Sequence, residues 1–328
     1  MRKVFIDGSA GTTGLRIRER LASRKDLELV ILPDDLRKDV EARRQALNGA
    51  DVAFLCLPDA AAVEAVSLVE NPNTVVIDTS TAHRTSEGWE YGFPELEGRR
   101  ERIAKATRIA NPGCHASGFV ALVEPLVRCG LIAKDEKLCA FSLTGYSGGG
   151  KKMIAEYDEK VKVKVKGEGE GEQRCCSLYL GGRQYALGQA HKHLPEMAKV
   201  CGLANAPCFS PIVVPHLSGM EVTVQLFGKS VAAIKEAYSA HYGSRIPVVE
   251  RASRPFGLVR FVEDPSEGGF LSSAALSGRD DMEVSVYGND ERAILVSRFD
   301  NLGKGASGAA IQNMNIVLGC DEKVGLKF

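Results

Sequence analysis

Alternation between short apolar runs and amphipathic runs over the first 110 residues narrows the possible folds more than any other feature of this chain. Strand-like runs at 3–6, 27–32, 52–57, 74–78 and 107–110 enclose helical periodicities at 13–22, 36–47 and 60–69. Strands separated by whole helices cannot pair as tight hairpins, so they pair in parallel through right-handed crossovers. The expected class is α/β: a Rossmann-type doubly wound parallel sheet. After residue 114 the texture changes. Strand-like runs at 137–144, 209–214, 220–227, 282–287 and 293–298 come with few helices between them, which predicts a second, α+β domain on a mixed or antiparallel sheet. An amphipathic run at 306–318 reads as a C-terminal helix. With 328 residues, two domains are expected, 1–113 and 114–300, with 301–328 returning to the first.

The first strand-to-helix turn reads Gly8-Ser9-Ala10-Gly11-Thr12-Thr13-Gly14. Its spacing is GxxGxxG rather than the common GxGxxG, but the physics is the same. Glycines permit a tight turn, and the N–H groups of the following helix face a pyrophosphate. A purely structural glycine turn is the plain alternative; the bracketing strand and helix favour a nucleotide, with all seven residues as cofactor contacts. The second strand run ends in Asp34 and Asp35, suited to ribose hydroxyls, followed by Arg37 and Lys38, suited to a 2′-phosphate. NAD and NADP both remain open on these residues.

Asn111-Pro112-Gly113-Cys114 places a thiol at the start of the apolar-periodic run 116–129. Unpaired N–H groups and the dipole at a helix start favour the thiolate, which marks Cys114 as a nucleophile over a buried structural cysteine. A nucleotide fold and a nucleophilic sulfur together suggest hydride exchange at an acyl carbon through a thioester. The chain has six histidines, and His191-Lys192-His193-Leu194-Pro195-Glu196 holds two. His193, before Leu-Pro-Glu, suits a helix start and a general base and acid. His216 is the reserve candidate, and helix geometry is expected to turn His115 away from its neighbouring thiol. No cysteine or carboxylate spacing near the two histidines completes a tetrahedral set, so no metal is expected.

Gly145-Tyr146-Ser147-Gly148-Gly149-Gly150-Lys151-Lys152 can form an anion nest, with Ser147, Gly148 and Gly149 as phosphate contacts. Arg84, in the run 78–84 that also holds Ser80, can grip an anion. Asn301 and Gly303 lie in a glycine-rich stretch that lets the last helix return against the nucleotide. The odd segment 159–172 alternates Lys and Val, read as a charged-face strand, then Gly and Glu, read as a surface loop.

Basic and acidic residues balance at 42 each, so no nucleic-acid or anionic-membrane partner is indicated. No apolar run is long enough for a membrane span, and no secretory leader opens the chain. Nine cysteines without such a leader imply free thiols in a reducing, cytoplasmic compartment; Cys56, Cys129 and Cys139 read as small core residues.

Residues 8–14, 78–84 with 89–96, 111–114, 145–152, 186–197 and 301–315 together resemble the N-acetyl-gamma-glutamyl-phosphate reductase family, in particular its shorter subfamily within the aspartate-semialdehyde dehydrogenase-like enzymes. That resemblance implies NADPH-dependent reductive dephosphorylation of an acyl phosphate, N-acetyl-gamma-glutamyl phosphate, to the semialdehyde in arginine biosynthesis. It implies Cys114 as nucleophile and His193 as acid and base. It places Ser80, Asn301 and Gly303 with the 8–14 loop at NADP, and Arg84, Asn111, Ser147, Gly148, Gly149 and Lys192 at the substrate or its phosphate. It also implies a nucleotide domain carrying the C-terminal helix, a catalytic and oligomerisation domain, and a homodimer or homotetramer. Two rivals remain: a reductase of an aspartyl or aminoadipyl phosphate, and a non-catalytic NADPH-sensing regulator.

Overall fold

The computed structural model describes residues 1–162, 178–243 and 257–328. The chain divides into two compact units, Met1–Gly113 with Gly305–Phe328, and Cys114–Lys304.

The first unit runs β1 (Arg2–Asp7), α1 (Thr12–Leu21), β2 (Leu27–Val30), α2 (Val40–Asn48), β3 (Val52–Leu55), α3 (Asp59–Ser67), β4 (Val75–Asp78), β5 (Glu90–Tyr91), α4 (Arg99–Ile103) and β6 (Arg108–Ala110). Its sheet has the order β2-β1-β3-β4-β6-β5, with every pairing parallel. Successive side chains of a strand face opposite ways, so a sheet covered on both sides must be apolar throughout. On β1, Val4 and Ile6 enter one core with Ile17, Phe54 and Ile77, while Phe5 enters the other with Leu47, Leu55 and Val76. The C-terminal helix Gly308–Val317 supplies Ala310, Ile311 and Met314 to the first of these cores. Helix α2 begins four residues later than periodicity suggests. The Asp39 carboxylate accepts from Ala42 N at 2.8 Å and caps the helix there.

The second unit runs α5 (Cys114–Arg128), β7 (Cys139–Gly145), a short 3₁₀ turn (Tyr146–Gly149), α6 (Gly150–Lys162), β8 (Arg183–Gln184), α7 (Leu194–Cys201), β9 (Cys208–Val214), β10 (Met220–Phe227), α8 (Val231–Tyr242), β11 (Val259–Phe261), β12 (Met282–Gly288) and β13 (Arg292–Phe299). The sheet order is β11-β12-β13-β10-β7-β9-β8. It is mixed: β7 and β9 are parallel, as are β11 and β12, and the other neighbours are antiparallel. Helix α5 lies on β10 and β13, flanked by α7 and α8. Along β10, Met220, Val222, Val224 and Leu226 are buried and alternate with half-buried or exposed residues.

Three sequence expectations change here. Residues 159–162 belong to α6, because Met153, Ile154 and Tyr157 carry a helical period into them; 163–172 lie outside the described residues. Cys129 and Cys139 are exposed rather than core, the first just beyond the end of α5 and the second at the start of β7 on its less covered face. The second unit also holds more helix than its texture suggested.

Gly118 is where α5 meets the sheet most closely. A Cβ there would lie 2.5 Å from Val222 Cγ2, 2.7 Å from Ser297 Oγ and 2.8 Å from Phe299 Cε1. All three neighbours are fully buried and cannot swing away. Gly118→Ala is therefore expected to destabilise the fold by about 1–3 kcal/mol despite its better helix propensity. Urea unfolding checks this, and an unchanged midpoint would contradict the packing described.

Candidate active site

At the end of β1 the chain turns through Gly8 with φ +82°, and a Cβ there would strike the Cys56 carbonyl on the adjoining strand. Only glycine allows that approach. Gly11 N donates to Gly8 O at 3.0 Å, closing the turn, and Gly14 lies directly against the Gly8 carbonyl. Helix α1 has no side-chain cap from Gly11 and no acid in its first turn, so its positive end is left for an anion. The loop lies at the carboxyl end of β1, where β2 and β3 flank that strand on opposite sides. This is the switch point at which doubly wound sheets bind nucleotides. Residues 8–14 fit a dinucleotide pyrophosphate. Behind the loop, buried Asp7 receives Arg43 at 3.0 Å; burial raises its pKa, and the guanidinium opposes that rise.

The loop after β4 is built on Asp78, which is wholly buried. Its carboxylate accepts from Ser80 N at 2.9 Å and Ser80 Oγ at 2.7 Å, and pairs with His83 Nδ1 at 2.6 Å. His83 stacks on Trp89 at 4.1 Å. Arg84 donates through Nε to Asn111 O at 2.9 Å and through Nη2 to Thr79 O at 3.0 Å. Asn111 in turn donates to Ala306 O at 3.0 Å. These bonds of Ser80, Arg84 and Asn111 shape the turn that leads out of β6.

Cys114 is the first residue of α5 and is partly buried. His115 beside it is 3 % exposed and sits at the centre of an aromatic cluster. Its Nδ1 meets Ser142 Oγ of β7 at 2.7 Å, and its Nε2 meets the Tyr185 hydroxyl at 2.7 Å. The rings of His191, His193 and Phe209 lie 5.3, 5.5 and 5.3 Å away. Burial first, then the charges of His191 and Lys192, push the His115 pKa down to about 3. Burial and the nearby Cys114 charge push that of Tyr185 up. His115 is therefore not simply turned away from the thiol's surroundings: neighbouring side chains diverge on a helix, but the Tyr185 hydroxyl bonds to His115 and feels the charge of Cys114.

His193 is the N-cap residue of α7, with Pro195 in the first turn, and is 4 % exposed. Its backbone N–H donates to His191 Nδ1 at 3.1 Å. Cys114, His115, Tyr185, His191 and His193 thus gather in one unit from three stretches of chain. His216 is not part of this group; its Nε2 meets Ser273 Oγ at 2.9 Å and burial lowers its pKa. Among the described residues, no group of three or more His, Cys, Asp or Glu side chains is arranged to hold a metal ion.

The glycine turn after β7 uses several of its N–H groups internally. Gly145, Tyr146 and Ser147 donate to the carbonyls of Gly219, His216 and Leu217 at 2.9, 3.0 and 2.9 Å. Asn301 braces the turn, donating to Ser147 Oγ at 3.0 Å and accepting from Gly219 N at 3.0 Å. Gly303 packs against the Arg279 carbonyl and donates to Asp300 O at 3.0 Å. Lys192 is exposed beside the histidines. Sequence reasoning missed Tyr185 and Ser142. Tyr185 carries no motif of its own, and the one available signal was its place six residues before His191.

Family models of a semialdehyde dehydrogenase match both parts of the chain: the NAD binding domain at residues 3–106 and the dimerisation domain at 114–301. An aspartate semialdehyde dehydrogenase from Francisella tularensis superposes with a TM-score of 0.72, over 97% of this chain and 100% of that one, at 15% identity. In class, then, this is an oxidoreductase of the semialdehyde dehydrogenase type. N-acetyl-gamma-glutamyl-phosphate reductase 2 of Nostoc sp. is 44% identical, covering 99% of both chains. The N-acetyl-gamma-glutamyl-phosphate reductase of Brucella anthropi is 43% identical, covering 97% of this chain and 98% of its own. The chain belongs to the N-acetyl-gamma-glutamyl-phosphate reductase family.

The buried imidazole makes a pH prediction. His115 titrates near 6.5 when unfolded and near 3 when folded, so between those values the unfolded chain binds the extra proton. Its contribution is complete above pH 6.5 and is lost as pH falls toward 3, amounting to about 5 kcal/mol at most. The charged or titratable groups facing it are His191, His193, Lys192 and Tyr185. His115→Gln should flatten the acid limb of the stability curve in that window, measured by urea unfolding at stepped pH. An unaltered acid limb would show that His115 titrates normally.

Proposed function

We propose that this chain reduces N-acetyl-gamma-glutamyl phosphate to N-acetylglutamate 5-semialdehyde with NADPH, releasing phosphate, in arginine biosynthesis. Identity of 44% along almost the full length of a relative that bears this name supports the substrate. The observation that carries the chemistry is Cys114 at the start of α5, within one cluster of histidine and tyrosine.

In this reading Cys114 attacks the acyl carbon while His193 takes its proton, and phosphate leaves as the thioester forms. Backbone N–H groups at the start of α5 hold the developing oxyanion. NADPH, when bound, supplies the hydride that converts the thioester carbon to a thiohemiacetal. His193 then returns its proton to the departing sulfur, and aldehyde and thiol separate. Lys192, exposed next to the histidines, and the backbone at Gly148 and Gly149 are suited to the leaving phosphate; Ser147 acts through its bond to Asn301. Residues 8–14 hold the pyrophosphate, which makes 1–113 with the C-terminal helix the nucleotide domain and 114–304 the catalytic one.

The match to a dimerisation domain supports a homodimer or homotetramer. So do Phe141 and Phe227, 45% and 70% exposed on a sheet of the second unit. The thiols of the described cysteines are free, which suits the reducing cytoplasm.

The test runs the reaction backwards, with N-acetylglutamate semialdehyde, phosphate and NADP, following nicotinamide absorbance. Activity with that aldehyde should exceed activity with aspartate semialdehyde, and Cys114→Ser should lose at least about a thousandfold in kcat while still binding NADPH. Preference for aspartate semialdehyde would reassign the substrate. Near-normal turnover by the serine variant would reject the thioester route.

A further inference from the structure

We propose that His115 is a positioning residue: held between Ser142 and Tyr185, it turns the Tyr185 hydroxyl so that its proton is presented to Cys114. This rests on the reading of Cys114 as nucleophile and adds a polarity and a group that the reading did not contain.

The direction of the chain of hydrogen bonds follows from its ends. The Ser142 hydroxyl lies fully buried on β7, and its side chain has one hydrogen-bond partner among the described residues, Nδ1 of His115 at 2.7 Å. A buried hydroxyl with a single partner that can accept donates to it, since a stranded donor costs more than a stranded lone pair. Nδ1 is then the acceptor. His115 is neutral, so its one proton sits on Nε2 and is donated to the Tyr185 oxygen at 2.7 Å. Tyr185 accepts there, so its own hydrogen is not used by that bond and can be directed elsewhere. The charge that bears on this hydroxyl is that of Cys114, next to His115 at the start of α5.

The opposite tautomer would reverse the arrangement. Tyr185 would donate to Nε2, and an oxygen lone pair would face the sulfur, where it repels a thiolate. Desolvation keeps the ring neutral, and Ser142 then selects the tautomer. A doubly protonated ring would force Ser142 to turn its hydrogen away, and burial against Phe209, with the charges of His191 and Lys192 close by, opposes that state. A phenol hydrogen aimed at Cys114 stabilises the thiolate before attack and the oxyanion after it.

Three single variants and one double test the arrangement: Tyr185→Phe, His115→Phe, His115→Gln and Tyr185→Phe/His115→Phe. Each is read by kcat and KM, and by the pH dependence of iodoacetamide alkylation at Cys114, located by peptide mass spectrometry. Tyr185→Phe and His115→Phe should each lower kcat by about 10- to 100-fold, with KM changed less than about twofold. Both should raise the apparent Cys114 pKa by about one unit. The double variant should be no worse than the worse single one, because both remove the same hydrogen bond. His115→Gln, whose amide N–H can stand in for Nε2–H, should recover most of kcat.

Multiplicative losses in the double variant, or His115→Gln as impaired as His115→Phe while Tyr185→Phe stays active, would overturn the proposal. So would an alkylation profile unmoved in Tyr185→Phe. Alkylation needs no substrate, so it decides the role of His115 even if the assigned acyl phosphate proves wrong. Should His115→Phe fail to fold, Tyr185→Phe and His115→Gln still separate the two outcomes.

Discussion

Taking the His115 ring out of water costs its charged form so much that its pKa falls to about 3, and the surroundings of Cys114 are arranged around that cost. An imidazole that stays neutral across the working range has one donor and one acceptor, fixed in place. Both are used at 2.7 Å, one toward a strand and one toward a tyrosine. A solvent-facing histidine would titrate near neutrality and exchange tautomers freely. Here burial converts a switchable side chain into a rigid connector, and β7, α5 and the stretch around Tyr185 are tied together through it.

Other buried polar groups do similar work in each unit. Asp78 collects three donors and fixes the loop that follows β4. Asp300 receives the N–H groups of Leu302 and Gly303 through one oxygen, and the Ser218 hydroxyl and Gly278 N–H through the other. Oriented N–H and O–H groups replace water that each carboxylate has lost. Asn301, next in the chain, passes the same restraint to the turn after β7. These side chains lie beneath loops the sequence marks as functional, and they explain how glycine-rich turns hold a definite shape.

That layering also explains what the sequence made readable. The parallel sheet was visible because its strands are apolar on both faces and its helices keep their period; β10 was found to the residue, since Met220, Val222, Val224 and Leu226 alternate without a break. Cys114 stood out because a Pro-Gly turn ends one element where another begins. Glu90–Tyr91 and Val259–Phe261 were missed because strands of two or three residues carry too little pattern to separate from loops. The sequence offers Ser80, Asn111 and Asn301 as ligand contacts, and in the fold each also makes bonds that brace its own unit. Sequence shows that a polar residue sits in a special loop, but not whether it faces a ligand or the backbone beneath. Tyr185 carries only a faint signal, its place six residues before His191, since its bond to His115 spans 70 residues of chain.

The histidine cluster leaves one further point about where a proton can reside. Three rings lie within 5.5 Å of one another, with Lys192 close enough to act on His115. Like charges at such separations oppose one another, so the cluster does not readily carry more than one proton beyond its neutral state. His115 is excluded as its holder by burial. His191 already accepts the His193 N–H on Nδ1, and protonating that nitrogen would break the bond that orders the start of α7. His193 is as buried as His115, at 4 % against 3 % exposed, but its part in that bond is its backbone N–H, so a proton on its ring leaves the bond in place. A group used as both base and acid must gain and lose a proton without rearranging its support. Between His191 and His193, the bond that orders the start of α7 is the point of difference for the proton transfer proposed at Cys114.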